Sequence, residues 1–220
     1  MKKLIIAFLA MSLGSFSIAS AELGVNIGVS GQMGVFAASG QENEDRTVSK
    51  SSTTTLVGYS SVFLEKTLGS RLTIGVDYVP DTLSSETANE TRIDEGASAA
   101  QKVQADFKDL TTIYATLNIT DNFFIKGGMV TVDVITNESL ATGSSYGNAS
   151  LDGSLVGAGY NYNFDNGVFL RAEGNVMMMD GVTLTSTAAA ATRPGSAQTN
   201  FVKLDHLNGA NAKVSIGKSF

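Results

Sequence analysis

The sequence of 220 residues has no cysteine, no tryptophan, one histidine and two prolines. Without cysteine the chain has no disulfide framework, so its stability depends on packing and strand pairing. The near-absence of histidine and cysteine leaves few ligands for a zinc-type metal site. The formal net charge is −6. Because an acidic chain repels nucleic acid, the charge argues against nucleic-acid binding as a function.

Residues 1–21 have the pattern of an export signal. Two lysines precede an apolar run from Leu4 to Leu13, and Ala19–Ala21 supplies small residues for cleavage. The alternative is an uncleaved helical anchor, but a run of about ten residues is only half of the ~20 that span a bilayer as a helix. No comparable run follows. We therefore expect one mature domain, residues 22–220.

The mature chain alternates between apolar and polar residues with a period of two, which is typical of β-strands. Its abundant glycine, serine, threonine and asparagine also favour strands and turns over helices. Eight segments follow this pattern: Glu22–Ala38, Thr54–Leu68, Arg71–Val79, Phe107–Ile119, Phe123–Ile135, Leu151–Phe164, Val168–Met178 and the last segment, from Val202 to Phe220.

Two local irregularities carry separate expectations. In the fifth segment the apolar positions change from Phe123, Ile125 and Met129 to the valines that start at Val130, which predicts a β-bulge near Gly127 and Gly128. Residues 97–107 are expected to form a short helix at the rim.

The links between the segments alternate between short and long. Residues 68–70, 120–122 and 165–167 are tight, turn-forming links. The long links are polar and cover residues 39–53, 81–106, 136–150 and 181–201. This alternation is typical of an antiparallel outer-membrane barrel with both termini on the periplasmic side.

The predicted fold is therefore an all-β, transmembrane, antiparallel up-and-down β-barrel of about eight strands, or ten if residues 179–182 form an additional hairpin turn. The alternative is a soluble periplasmic barrel or sandwich. A soluble barrel buries large apolar side chains inside. Glycine, serine, asparagine and charged residues dominate the opposite faces of these segments, which favours lipid outside and polar groups inside.

Charged residues within the segments are assigned to the interior. A lysine or arginine on the lipid face costs about 2 to 4 kcal/mol at the membrane midplane. Six charged residues lie on polar faces and are predicted to pair in the periplasmic half of the lumen: Glu65, Asp77, Lys126, Arg171, Glu173 and Lys213. Lys66 and Lys218 point toward lipid but lie at strand ends, where their side chains can reach headgroups.

The terminal strand carries a resemblance to a known family. It places Val214 and Ile216 on its apolar face and ends at Phe220. With the signal segment and the alternating strands, it resembles the small outer-membrane β-barrel family that includes opacity-type and porin-family proteins. The resemblance implies an assembly signal at Val214, Ile216 and Phe220, read by the barrel-assembly machinery. Lys218 departs from the aromatic residue that the family often has at that position.

The functional expectation is a non-enzymatic, monomeric barrel of the bacterial outer membrane, in contact with lipid and lipopolysaccharide and without a cofactor. Its role would be structural, with the four long links presented to surfaces, phage or host. About eight strands leave a lumen that side chains fill, so an open porin is not expected. The alternatives are a narrow channel or transporter for ions or small apolar compounds, and a lipid-modifying enzyme acting through His206. The first two long links are acidic, but their spacing matches no calcium loop, and no metal site is predicted.

Overall fold

The computed structural model describes residues 24–44, 47–85, 87–94, 97–139, 145–186 and 201–220. The predicted signal segment lies outside these residues. Among them, no helix is long and apolar enough to cross a membrane. The described residues form eleven strand segments: β1 (Val25–Glu44), β2 (Thr47–Leu68), β3 (Leu72–Tyr78), β4 (Leu83–Ser84), β5 (Ala88–Asp94), β6 (Ala97–Asn118), β7 (Phe123–Ser139), β8 (Ala149–Asn163), β9 (Val168–Met179), β10 (Val182–Thr185) and β11 (Phe201–Ser219).

These segments close into a ring of eight antiparallel strands. The ring runs β1, β2, β3, β6, β7, β8, β9, β11, and β11 pairs again with β1. The short segments β4 and β5 continue β3 along the same edge of β6, and β10 continues β9 along β11. The residues around Asp180 and Gly181 therefore interrupt one strand, and the ring has eight strands.

The tight turns and the closing contact lie at one end of the barrel. Gly69 and Gly167 have φ angles of 68° and 79°, which side chains rarely adopt and glycine adopts freely. At the same end, the Phe220 N–H donates to the Val25 carbonyl oxygen at 2.9 Å and joins the two termini. The alternation of short and long links predicts that this end faces the periplasm.

The outer wall carries an apolar belt. Outward side chains on all eight ring strands are exposed and mostly aliphatic or aromatic: Ile27, Val29, Met33, Val35, Leu56, Val62, Leu72, Ile74, Ile113, Leu117, Phe123, Ile125, Met129, Val156, Tyr160, Tyr162, Leu170, Val176, Val214 and Ile216. Such an exposed apolar surface on a closed ring suits hydrocarbon and not water.

The strands extend beyond the predicted boundaries. Much of the links 39–53 and 81–106, both predicted as loops, is paired strand in β1, β2, β4, β5 and β6. The same correction applies to the beginnings of links 136–150 and 181–201, which belong to β7 and β10. Residues 97–107 belong to β6 and form no helix. Threonine and serine populate these segments, and threonine favours extended backbone.

The β6–β7 ladder has its bulge on β6 and not at Gly127 and Gly128, and the β1–β11 ladder shifts between Ser39 and Gly40. The β6–β7 ladder shifts between Lys108 and Thr111, opposite Asp133 and Thr131. Asp109, within the bulge, has a φ of 55°. The β7 strand keeps its alternation throughout, and Val130, Val132 and Val134 point inward. They pack in an apolar cluster that fills the end of the interior away from the tight turns.

Replacing Met129 by arginine tests the apolar belt. Met129 is 73% exposed on the outer face of β7. We expect Met129→Arg to lower the free energy of unfolding by about 2 to 4 kcal/mol, since the new charge faces the hydrocarbon. The matched control is Asp152→Arg, above the belt on β8, which should cost about 0 to 1 kcal/mol. Urea unfolding in lipid vesicles measures both, and equal costs for the two variants would contradict the assigned belt.

Candidate functional site

The periplasmic half of the lumen holds a layer of charged side chains. Glu65, Asp77, Lys126, Arg171, Glu173 and Lys213 all point inward and are buried. The centre of the layer is the pair between Arg171 and Glu65, with Nη1–Oε1 at 2.5 Å and Nη2–Oε2 at 3.0 Å. This two-bond geometry between planar groups is the strongest form of a charge-assisted hydrogen bond.

Further polar groups hold this pair in place. Glu65 also accepts hydrogen bonds from Tyr114 at 2.7 Å and from Asn26 at 3.0 Å. The Arg171 Nε donates to Asn161 at 2.7 Å, and one of its Nη atoms lies 3.8 Å from Glu173. The arrangement gives the buried carboxylate four donors, which offsets the free energy of removing it from water.

Two more ion pairs complete the layer. The Lys126 ammonium lies 3.3 Å from Glu173, and the Lys213 ammonium pairs with Asp77, which also accepts a hydrogen bond from Ser61 at 3.1 Å. Each of the six sequence-predicted residues thus lies beside an opposite charge, and three acids balance three bases.

Aromatic rings enclose the charged layer. Phe63, Phe124 and Phe169 surround the Arg171 guanidinium at 5.1 to 5.4 Å from ring centroid to Cζ, within the range of cation–π contact. Tyr114 lies under the Lys126 ammonium at 3.8 Å. The alternation did not single out these rings in advance, although each is an aromatic residue at an inward position of an alternating strand.

Each of these four rings lies over a glycine directly opposite on the neighbouring strand. The pairs are Phe63 with Gly28, Tyr114 with Gly75, Phe124 with Gly159 and Phe169 with Gly217. A Cβ atom at any of these glycines would overlap the ring. Each of the eight ring strands contributes one residue to these four pairs. We call the four rings the aromatic floor, and their positions depend on the strand register.

Neutral polar side chains lie next to the charged layer. Asn175 Nδ2 donates to Asn211 Oδ1 at 2.9 Å, and Asn211 Nδ2 contacts Gln32 Oε1 at 2.9 Å and the Tyr59 hydroxyl at 3.0 Å. A cavity of about 20 Å³ adjoins this group, roughly the volume that one water molecule needs.

The other half of the interior is apolar, which corrects the expectation of a polar lumen throughout. Eleven buried side chains form one cluster: Tyr59, Val79, Leu110, Val130, Val132, Val134, Leu151, Leu155, Met177, Met179 and Leu207. The barrel is therefore filled by two layers, one of ion pairs and one of apolar side chains.

The wall of the barrel parts between β2 and β3. Their ladder ends at Val62 and Tyr78, whereas β2 continues to Thr47 in register with β1. Pro80 follows, and proline has no N–H for a ladder. The side chains of Ser60 and Asp81 meet across this opening at 2.8 Å. We call the opening between β2 and the segment from Val79 to β5 the seam.

The seam begins within the apolar belt. Leu56 on β2 is opposite Val35 on β1, and both side chains face outward. Leu56 is 64% exposed. On the inner side, Tyr59 and Val79 flank the seam and belong to the apolar cluster. Apolar side chains therefore lie at the seam on both the inner and the outer side of the wall, and the polar Ser60–Asp81 contact bridges it.

His206 and several carboxylates lie at the outer rim. His206 is exposed and lies 3.1 Å from the Ser39 hydroxyl on β1. Its neighbour Asp205 is bound to Lys203 at 2.7 Å and to Gln41, and the pKa of Asp205 is lowered first by the Lys203 contact. The carboxylate that could orient His206 is thus held by other partners. Among the acidic residues of the first two long links, Asp81 accepts a hydrogen bond from Ser60. The structure does not describe the side chains of the others, which are Glu42, Glu44, Asp45, Glu86, Glu90, Asp94 and Glu95.

A second rim carboxylate connects three strands. Asp106 on β6 accepts hydrogen bonds from Ser84 on β4 at 2.6 Å and from Asn137 on β7 at 2.7 Å. These bonds, the Ser84 bond first, lower the pKa of Asp106. The contacts fasten β4 to the barrel above the membrane.

The three residues of the predicted assembly signal are exposed. Val214, Ile216 and Phe220 are exposed on β11 and at its end. Lys218 is half-buried, and its ammonium contacts the backbone oxygen of Asn166 in the neighbouring turn.

Replacing Glu65 by glutamine tests the buried ion pair. We expect Glu65→Gln to lower the free energy of unfolding by about 3 to 5 kcal/mol, because it removes the carboxylate that binds the buried Arg171 guanidinium through two hydrogen bonds and leaves only the longer contact with Glu173. The matched control is Asp205→Asn at the exposed Lys203 pair, which should cost about 0.2 to 1 kcal/mol. Urea unfolding in vesicles measures both variants. If Glu65→Gln lowers the free energy of unfolding by no more than Asp205→Asn does, the Arg171–Glu65 pair is not central to stability.

The comparisons with known proteins bear on the fold. No family model matches the chain, and no curated protein matches its sequence. Among solved structures, the outer membrane protein OprG of Pseudomonas aeruginosa matches with a TM-score of 0.51 and 11% identity, over 93% of this chain and 99% of OprG. The outer membrane protease OmpT of Escherichia coli matches with a TM-score of 0.47 and 8% identity, over 94% and 100%.

The attachment invasion locus protein Ail of Yersinia pestis matches with a TM-score of 0.40 and 12% identity, over 88% of this chain and 99% of Ail. At these identities the likeness concerns the fold, and the OprG match carries it. The ring of eight strands, its apolar belt and its charged lumen agree with that fold. The chain therefore has the fold of a small outer-membrane β-barrel.

Proposed function

We propose that the protein is a sealed, non-enzymatic barrel that spans the outer membrane and presents extended β-hairpins at the cell surface. The observation that carries the proposal is the filled interior, with ion pairs below and eleven buried apolar residues above. A lumen filled in this way resists the passage of water and ions.

The extended hairpins support the surface role. β1 and β2 stay paired up to Glu44 and Thr47, about ten residues beyond the last belt residue, Val35. β5 and β6 form a second hairpin that ends at Asp94 and Ala97. The partners proposed for these hairpins are surface, phage or host molecules, reached through residues 39–53, 81–106, 136–150 and 181–201.

The proposal includes lipid and assembly partners. The protein would be a monomer whose apolar belt contacts lipid and lipopolysaccharide. The barrel-assembly machinery would recognise Val214, Ile216 and Phe220. These residues stand exposed on the terminal strand, where a folding factor can reach them.

Planar bilayer recording tests the sealed lumen. We expect the purified, folded barrel to give no reproducible conductance steps, because both layers must open before ions pass. A large porin incorporated by the same procedure controls for insertion. Regular steps from the barrel, at a rate that scales with the inserted protein, would contradict the proposal.

The seam favours a second candidate function, the lateral passage of small apolar compounds into the membrane. Unpaired strand edges are not tolerated against hydrocarbon unless they line a cavity or are hydrated. The seam leaves such an edge on β2 above Val62, within the belt, and the apolar cluster lies behind it. A compound that entered from outside could leave sideways without crossing the charged layer.

A disulfide across the seam tests this candidate. Ser60→Cys/Asp81→Cys places two thiols where the side chains now meet at 2.8 Å, in a chain without other cysteines. We expect the oxidised variant to lose uptake of a fluorescent apolar probe into vesicles, and reduction to restore it. The control is Thr131→Cys/Asp152→Cys, a directly opposed pair on β7 and β8 away from the seam. Equal uptake by oxidised and reduced seam variant would remove the candidate.

A further inference from the structure

The outer part of β2 has one strand edge without a partner strand. β2 stays paired with β1 from Lys66 to Thr47, whereas its ladder with β3 ends at Val62. Across the seam, β5 pairs only with β6 within the part of the chain that the structure describes. Leu56 lies opposite Val35, the last belt residue of β1. The bare edge of β2 therefore continues beyond the apolar belt, away from the tight turns.

The backbone groups of this edge can be assigned residue by residue. Successive N–H groups of a strand point to opposite sides. The Thr67 N–H donates to the Gly24 carbonyl oxygen at 2.7 Å, on the β1 side, and the β1–β2 ladder has no register shift. Odd-numbered residues of β2 therefore bond to β1. The N–H and C=O groups of Lys50, Ser52 and Thr54 point into the seam.

This edge lacks the features that usually protect strand edges. Natural edges carry charges, prolines or bulges that prevent pairing with another chain. From Thr47 to Ser61, β2 has no proline and a single charged residue, Lys50. Most residues of this stretch are serine or threonine, and threonine favours extended backbone. The side chains from Lys50 to Thr54 are exposed, so the edge is accessible to another chain.

A second copy of the chain in the same membrane does not fit this edge. The strands of outer-membrane barrels tilt by about 35 to 45°. A twofold axis along the membrane normal would give the two β2 strands the same vertical direction and opposite tilts. They would cross instead of pairing. The occupant is therefore a chain that is free to align with β2.

An extended peptide with a carboxylate fits both the backbone and the charge of the edge. Its main chain would add a strand and bond the free groups of Ser52 and Thr54. Lys50 is the single charge of this stretch, so an acidic side chain opposite Lys50 complements it. The contact at the base of the seam is of a related kind, since the Asp81 carboxylate accepts a hydrogen bond from Ser60 on β2.

We propose that the free edge of β2 is a docking site for an extended, acidic peptide segment of a surface partner, which binds by β-strand addition. The proposal rests on the surface role proposed above and names the mode and the chemistry of the contact. Main-chain hydrogen bonds supply the affinity, and Lys50 selects the charge of the partner.

Amide hydrogen exchange of the folded barrel in lipid nanodiscs tests this site. The probe is a short synthetic peptide of alternating threonine and valine with one central glutamate. In the free protein we expect fast exchange at Lys50, Ser52 and Thr54, and slow exchange at Ser51 and Thr53. The peptide should slow exchange in the first set and leave the second set unchanged. The same peptide with a fully N-methylated backbone should have no effect, and lysine in place of glutamate should weaken binding.

A proline substitution tests the same edge from the side of the protein. Ser52→Pro removes an N–H that faces the seam and leaves the bonds to β1 in place. We expect it to weaken peptide binding by about tenfold or more, with little change in the free energy of unfolding. The matched control is Ser52→Thr, which keeps the N–H and should bind the peptide as the unmodified protein does. Fluorescence anisotropy of the labelled peptide measures binding.

The other outcomes are equally specific. Slow exchange at Lys50, Ser52 and Thr54 without peptide would show that another part of the chain covers the edge, and would overturn the proposal. Equal binding of the N-methylated peptide would do the same. Protection that appears only when two barrels share a nanodisc would assign the edge to a second copy and also overturn it.

The docking site and the sealed lumen can fail separately. A barrel that shows no conductance and binds no peptide would refute the docking site alone, whereas a conducting barrel that binds the peptide would refute only the sealed lumen. The comparison of peptides on the unmodified protein remains decisive if Ser52→Pro fails to fold.

Discussion

The need to keep charge and unpaired backbone away from hydrocarbon governs this structure. It forces every ring strand to present an apolar outer face and keeps the ladders of the belt paired, except along β2 above Val62. The inner face does not contact lipid, so it can carry both polar and apolar side chains. Near the periplasm it holds six charged side chains in three ion pairs, and farther out it holds an apolar cluster.

The same constraint explains which parts of the fold the sequence predicts. Period-two alternation is local, so the outward faces of β1, β6 and β9 follow from sequence, as do the tight turns that contain Gly69 and Gly167. The inward position of Glu65 and Arg171 follows as well, because a charge on the lipid face is costly. Which acid meets which base depends on ring closure, since Glu65 and Arg171 are 106 residues apart.

Other features depend on pairing that no local pattern encodes. The strand extensions beyond Ala38 and before Thr54 are polar on both faces, so alternation cannot distinguish them from loops. The inward valines of β7 imitate a change of phase, because an apolar interior layer removes the contrast between the two faces. The bulge of the β6–β7 ladder, at Asp109, lies where the sequence carries no glycine to mark it.

The order of the two layers determines what the seam can do. Below the point where β2 and β3 part, the aromatic floor ties all eight ring strands together through four ring–glycine pairs, and the rings enclose the Arg171 guanidinium. Parting of the wall at that level would separate charges that only each other can neutralise. Above Val62 the side chains that flank the seam, Tyr59 and Val79, belong to the apolar cluster, and the Asp77–Lys213 pair lies directly behind them in the same cavity. The seam therefore lies at the boundary between the charged layer and the apolar cluster, and Pro80 marks it in the sequence.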